Sequence, residues 1–392
     1  MTANIQGIQA DLRGAKLDGW LFYDFRGRDP IAQHILNLPN GMRTRRWYYF
    51  VPAKGDPKKL VHKIEAESLA ALPGDTLYYA GQHELHKNLK KMLGRAKKVA
   101  MQYSPKNEIP YVAMVDAGTV ELVRGAGPKV VSSADLVQKY EACWSAEQTE
   151  SHFSAGLIID RIVSGAFEHA AKCVREKIAL TEYDLKQWIL KEFEAAGIWA
   201  EEGPDIAVNA HASDPHYGPT AESATPIGEG DLLLLDVWGK KKTPGSVYYD
   251  VTWMSYLGAK VPEKYAKVFT VVREARDKAV DLIRTHVAKG KPLQGWQVDQ
   301  AARRVIEKAG YGKYFFHRTG HSIGEKVHGN GANMDGLETH DARHLIPHTC
   351  NSVEPGIYLP EFGVRTEVNV YIDEDEARVT GAVQDEILAL LS

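Results

Sequence analysis

Two strongly apolar segments, each carrying an acidic residue, constrain this chain more than any other feature. DLLLLDVW (231–238) and VYYDVTWMSY (247–256) read as strands, and they flank GKKKTPGS, a polar stretch with the glycine and proline of a hairpin connection. A regular turn centred on Thr243 sets Asp236 directly across from Asp250. Facing residues of such a pair have Cβ atoms roughly 5 Å apart, and like charges so placed repel unless a proton or a cation lies between them.

The construction recurs near the C-terminus. SVEPGIY (352–358) and GVRTEVNVYI (363–372) are joined by LPEF, and a four-residue turn at 359–362 places Glu354 opposite Glu367. Burying either carboxylate as an unpaired anion in such apolar strands is costly. Taken singly, either pair is open to a protonated, a structural or a misregistered reading. A third feature joins them: HRTGHSIGEKVH (317–328) gathers His317, His321 and His328 around Gly320 and Gly324, a loop composition that brings backbone close to something bound. Two acidic hairpins and a histidine cluster in one region point to metal.

Four carboxylates and one imidazole form a hard, oxygen-rich set, crowded around one ion but natural for two divalent cations sharing bridging carboxylates. Cations held about 3.5–4 Å apart lower the pKa of a bridging water and polarise the bond under attack, so the chemistry expected is hydrolysis. Ligand hardness disfavours copper and iron–sulfur clusters and leaves manganese, cobalt and zinc.

At 392 residues the chain exceeds one ordinary hydrophobic core, which makes two domains the expectation. A formal net charge of -3 supplies no basic footprint for nucleic acid and no polybasic patch for a membrane surface. Cys143, Cys173 and Cys350 are odd in number and far apart, which argues against a disulfide framework and for a reducing compartment. The first twenty residues lack the apolar core of a signal peptide and no apolar run approaches 18 residues, so a cytoplasmic protein is expected.

Ile5, Ile8, Leu12 and Ala15 recur at helical intervals, and GWLFY (19–23), WYYFV (47–51), KLVH (59–62), TLYYA (76–80) and KVAMQ (98–102) read as short strands. With helices over 64–72 and 83–95 they predict an α/β module whose basic loop, Arg43, Arg45 and Arg46, is read as solvated, with anion binding or a subunit contact as the alternative. Ser145 with Gln148 fits a capping box opening a long helix with a stripe of Phe153, Leu157, Ile158, Ile162 and Phe167. Thr181 with Asp184 opens a second helix ending at Gly197. The predicted domains are 1–143 and 144–392.

The order Asp236, Asp250, His321 within GHSIG, Glu354 within EPG and Glu367 within RTE resembles the five-ligand signature of the pita-bread metallopeptidases, the family of aminopeptidase P, prolidase and methionine aminopeptidase. The His321 to His328 spacing and the PHY at 215–217 resemble its prolidase and aminopeptidase P branch. The resemblance implies an α+β fold: a pita-bread catalytic domain preceded by a smaller creatinase/prolidase-type α/β domain. It further implies that Asp250 and Glu367 bridge two divalent metal ions, with Mn2+ the first expectation, that Asp236 binds one ion, and that His321 with Glu354 complete the other. The resemblance likewise implies that Glu354 shuttles a proton from the nucleophilic water to the leaving nitrogen. By the same resemblance His328 and His216 are expected to contact the scissile carbonyl and the residue after it, and His317 and Arg365 to lie at the site edge, Arg365 reading equally well as a structural ion pair. A homodimer acting on small peptides with proline at the second position follows from the same resemblance.

Three features depart from the family pattern. The connection between the aspartates is longer than usual, Val247 stands where a tyrosine is common, and Val368 where an acidic residue is common. What that tyrosine does elsewhere is either absent here or supplied by Tyr248 or Tyr249. Cys350 reads as a small buried residue rather than a nucleophile. The expected activity is Xaa-Pro dipeptidase, with aminopeptidase P on longer peptides as the alternative and a catalytically weak peptide-binding module as the reading from another class.

Overall fold

The computed structural model describes residues 4–39, 41 and 43–391. The chain divides into two compact units, Met1–Glu141 and Ala142–Ser392.

In the first unit, α1 (Ile5–Gly14), β1 (Gly19–Asp24), α2 (Pro30–Ile35), β2 (Trp47–Pro52), β3 (Lys58–His62), β4 (Asp75–Tyr79), α3 (Gln82–Leu93), β5 (Lys98–Met101), α4 (Ala117–Gly125), β6 (Lys129–Ser132) and α5 (Ala134–Glu141) follow in order. The strands form one mixed sheet, β4-β3-β2-β1-β5-β6. Its alternation is that of a sheet covered on both faces: Trp20 and Phe22 enter one core, Leu21 and Tyr23 the other. The helix expected over 64–72 is not there. A 3₁₀ turn, Lys63–Glu65, is followed by further turns closed by three-residue steps such as Ser68 N to Glu65 O and Leu72 N to Leu69 O, up to Pro73, which has no N–H to continue them. Within the basic loop, Arg43 donates to the carbonyls of Pro39 and Ser68.

The second unit opens with α6 (Ala146–Glu176), capped by the reciprocal Ser145–Gln148 box, and α7 (Glu182–Ala196), capped by Thr181–Asp184 and closed by Gly197 in the left-handed region at φ 71°. The buried stripe of α6 runs through Ala155, Ile159, Ile162, Val163, Ala166 and Phe167. Leu157, expected on it, is 72% exposed, because two positions from both Ala155 and Ile159 it falls on the opposite side of the helix, while the small residues of the stripe let the helix lie close to the sheet. Gly156 makes that approach plain: a Cβ there would sit 2.7 Å from the Tyr249 ring.

Next come β7 (Ile198–Trp199), β8 (Asp205–Val208), β9 (Leu232–Lys241), β10 (Tyr249–Tyr256), α8 (Glu263–Val287), α9 (Gly295–Lys308), β11 (Ser322–Ile323), β12 (Thr349–Val353), β13 (Gly356–Leu359), β14 (Phe362–Arg365), β15 (Val368–Ile372), β16 (Ala377–Thr380) and β17 (Leu388–Ala389). Odd residues of β9, Leu233, Leu235 and Val237, pack with α6 and α7, whereas Leu232 and Leu234 face the core that holds α8 and α9. Asp236 shares that second face.

The register between β9 and β10 differs from the expected one. Asp236 lies across from Thr252 and Asp250 across from Trp238, so the aspartates are diagonal neighbours rather than a rung. The connection is not a symmetric turn: Lys240 and Lys241 leave the hairpin to pair with Trp199 and Ile198, and β10 begins only at Tyr249. The shift is by two residues, so both carboxylates still point to one face. In the second hairpin the expected register holds on both sides of the glutamates, with Gly356 across from Arg365 and Val353 across from Val368. Glu354 and Glu367 occupy the break between these two ladders.

Candidate metal centre and active site

Four strands and one loop converge here. Asp250 on β10, His321 at the start of β11 and Glu367 at the entry of β15 are buried, and each offers a ligand atom within 4.8 Å of the other two. His321 Nδ1 faces the carbonyl of Ser322 at 3.2 Å, which places its hydrogen there and leaves the Nε2 lone pair toward Asp250 Oδ2 at 3.5 Å and Glu354 Oε1 at 3.3 Å. A lone pair among carboxylate oxygens is repulsive unless a proton or cation sits between. Ser352 holds the arrangement together: its N donates to His321 O, its Oγ accepts from His321 N and donates to Glu354 Oε1 at 3.0 Å. Glu367 Oε2 accepts from Thr252 Oγ1 at 2.9 Å, while its Oε1 is buried without a partner among the described residues.

Burial pushes the carboxyl of Asp250 well above its usual value, with the neighbouring Asp236 charge adding to it and Arg365 opposing. Burial likewise raises Glu367, helped by the Asp250 charge, and Glu354, where the His321 charge opposes. Asp236 is engaged differently: the Arg365 guanidinium pairs with its Oδ2. Arg365 is itself buried and also donates through Nε to Thr252 Oγ1 at 3.1 Å and through Nη1 to Tyr358 OH at 3.2 Å and Pro215 O at 3.4 Å. Most of its five N–H donors are thus taken by its own chain, in keeping with the structural ion-pair reading.

His317 Nδ1 lies 2.7 Å from the Arg318 carbonyl and therefore carries the hydrogen, so Nε2 accepts from the Tyr358 hydroxyl at 2.6 Å. Burial, with Arg365 nearby, pulls His317 down to about 3, which keeps it neutral in that role. His328 stands edge-on to His321 with ring centroids 4.4 Å apart, and the closeness of that second imidazole, followed by burial, lowers its pKa to about 3. His216, on the exposed loop after β8, is close enough to act electrostatically on His328.

Three contributors went unassigned in the sequence. Tyr358 follows Glu354 and Gly356 at the two-residue period of one strand face, a signal that could have exposed it. Thr252 links Arg365 to Glu367. Asp205, directly across from Asp236 on β8, has its carboxyl raised to about 7 by burial and then by the Asp236 charge, with Lys186 3.9 Å away. Neither tyrosine offered for Val247 reaches the centre: Tyr248 OH accepts from Glu201 N, and Tyr249 OH donates to Asp160. Cys350 is fully buried beside Ile323 and Tyr371.

Residues 158–374, more than half of the chain, match the model of metallopeptidase family M24. The chain belongs to metallopeptidase family M24. Among relatives of this M24 protein, the probable dipeptidase PepE of Mycobacterium tuberculosis is 30% identical over 257 residues, covering 65% of this chain and 63% of the relative. The Xaa-Pro dipeptidase of Lactobacillus helveticus is 28% identical over 253 residues, 63% of this chain and 62% of the relative. These matches therefore span somewhat less than two thirds of the relatives' length. The fold extends further: the dipeptidase PepE structure from Mycobacterium ulcerans superposes with a TM-score of 0.71 at 23% identity, covering 98% of this chain and 96% of that one. A prolidase from Thermococcus sibiricus gives 0.63 at 20% identity with 98% of both chains covered. The pita-bread fold expected from the motifs is the fold of this M24 protein. Among the described residues no helix is long and apolar enough to cross a membrane.

Proposed function

We propose that this M24 protein is an Xaa-Pro dipeptidase whose centre holds two divalent cations on Asp236, Asp250, His321, Glu354 and Glu367. The observation that carries the reading is the convergence of buried carboxylate oxygens on the His321 lone pair, with Glu367 Oε1 left unpartnered, an arrangement whose charge and donor set fit divalent cations. Cations bound there supply Lewis acidity for the scissile carbonyl and lower the pKa of the attacking water. Manganese is the ion to test first.

The chain's own residues do the rest. Glu354, hydrogen-bonded through Ser352 Oγ and with its carboxyl raised, takes a proton from the attacking water and returns it to the proline nitrogen as the C–N bond breaks. That nitrogen belongs to a tertiary amide and has no hydrogen of its own, so departure requires that proton. His328 and His216 on the exposed side contact the carbonyl oxygen and the prolyl residue, and the His317–Tyr358–Arg365 chain fixes the wall behind them.

One observation favours the second reading, aminopeptidase P. Arg365 is largely occupied by Asp236, Thr252, Tyr358 and Pro215, which leaves little of it for the free carboxylate that only a dipeptide presents at that position. Comparing kcat/KM on Ala-Pro, Ala-Ala and Ala-Pro-Ala with manganese present decides between them. The dipeptidase reading expects Ala-Pro to exceed Ala-Pro-Ala by on the order of a hundredfold, through a carboxylate interaction of about 3 kcal/mol. Equal cleavage of the tripeptide moves the protein to aminopeptidase P. Equal cleavage of Ala-Ala removes the proline requirement, and cleavage of none of the three points to a peptide-binding module.

A further inference from the structure

Glu182 is an unusual acid: the first residue of α7, fully buried, and outside the metal centre. Its two oxygens accept from donors in several separate places. Oε1 takes Val208 N at 2.8 Å, Oε2 takes Tyr217 OH at 2.8 Å and Thr225 N at 2.9 Å, and His211 Nδ1 stands 3.0 Å from both. Val208 N and Thr225 N can only donate, one to each oxygen; His211 joins them in its Nδ1–H tautomer, and Tyr217 OH lies between Glu182 and the Ser223 carbonyl at 3.2 Å. The Tyr217 and His211 rings also pack with centroids 4.2 Å apart. Glu182 thus ties down the end of β8, the 3₁₀ turn Asn209–Ser213 and both ends of the following loop.

His216 lies in that loop. Its side chain is exposed and makes no hydrogen bond among the described residues; its backbone N donates to Asp214 Oδ1 at 3.0 Å. The place of its ring is therefore set by the backbone between His211 and Tyr217, the two residues that Glu182 holds. We infer that Glu182 is a positioning residue: through His211 and Tyr217 it fixes the loop that presents His216 to the substrate. The inference rests on the reading of His216 given above. Replacing the carboxylate with an amide turns one acceptor into a donor facing donors, and the loop must shift to relieve it.

The test is a double-mutant cycle on the manganese-loaded enzyme with Ala-Pro, using Glu182→Gln, His216→Ala and the pair. Glu182→Gln is expected to lower kcat/KM by on the order of ten- to a hundredfold, the scale set by small misplacements of a substrate-contacting group, with bound metal unchanged. In the His216→Ala background the same change should cost less than about twofold. A merely structural residue would lower both backgrounds by the same factor, and that result overturns the inference while leaving the role of His216 intact. Equal rates for the wild type and His216→Ala would refute the role of His216 and this inference with it. Should Glu182→Gln fail to fold, Tyr217→Phe, which removes the Tyr217 bond to Glu182 together with its contact to the Ser223 carbonyl, runs the same cycle with a smaller factor and the same criterion.

Discussion

The Tyr358 hydroxyl donates to His317 Nε2 at 2.6 Å and accepts from Arg365 Nη1 at 3.2 Å, so one phenol joins a neutral imidazole to a guanidinium that is paired with Asp236. Removing that oxygen leaves a buried donor and an acceptor without partners, at about 1–3 kcal/mol. Tyr358→Phe is therefore expected to lower kcat/KM by roughly tenfold or more while retaining metal. Steady-state kinetics with elemental analysis checks it; an unchanged rate would mean that the chain of hydrogen bonds does not support the reaction.

The protein as purified with manganese should carry two divalent ions per chain and lose activity to a chelator, because the His321 lone pair and the carboxylates around it otherwise repel. Cation binding must displace protons from carboxyls raised by burial, so the rise in Tm on adding manganese should be larger at pH 8 than at pH 5. Absence of metal together with full activity in chelator would sink the metal assignment.

His328→Ala should keep both ions and lose most activity, since His328 stands beside His321 on the exposed side rather than within the carboxylate cluster. Loss of about a hundredfold in kcat/KM is expected for a group acting on the reacting carbonyl. A variant that loses metal stoichiometrically instead would make His328 a ligand.

His152 supplies a pH prediction away from the reaction. It is fully buried between Tyr248 O and Thr380 Oγ1, and burial lowers its pKa to about 4 from 6.5. The folded state binds its proton more weakly than the unfolded state does, so stability is full above pH 6.5 and declines as pH falls toward 4, by up to about 3 kcal/mol. His152→Gln, which does not titrate, should flatten the denaturation profile between those values. Parallel profiles for the two proteins would show that His152 does not contribute.

The difference between the two hairpins explains what was legible. The turn after Leu359 is tight, so it dictates register, and the pairing of Gly356 with Arg365 followed from the sequence alone. The stretch from Lys242 to Tyr248 is long enough to bend asymmetrically, and the partner strand that captures Lys240 and Lys241 lies far back in the chain, so the rung of Asp236 was misplaced while its face was not. The capping boxes of α6 and α7 were readable because every participant lies within four residues. Glu182 was not: an acid in a first helical turn usually faces water, and only the fold brings Val208, His211, Tyr217 and Thr225 around it.

One consequence concerns lengths rather than side chains. The two ladders that flank Glu354 and Glu367 share a single register, counted outward from the exposed pair Pro360–Glu361. That turn works as a gauge. Its residues touch little and should accept wide substitution, yet one residue added or removed there would offset one arm against the other and carry a glutamate to the opposite face of the ribbon. Across homologous chains the spacing from Glu354 to Glu367 should therefore drift far less than the identity of anything at the tip. In engineering, a one-residue insertion at this turn should eliminate the centre without unfolding the rest of the chain.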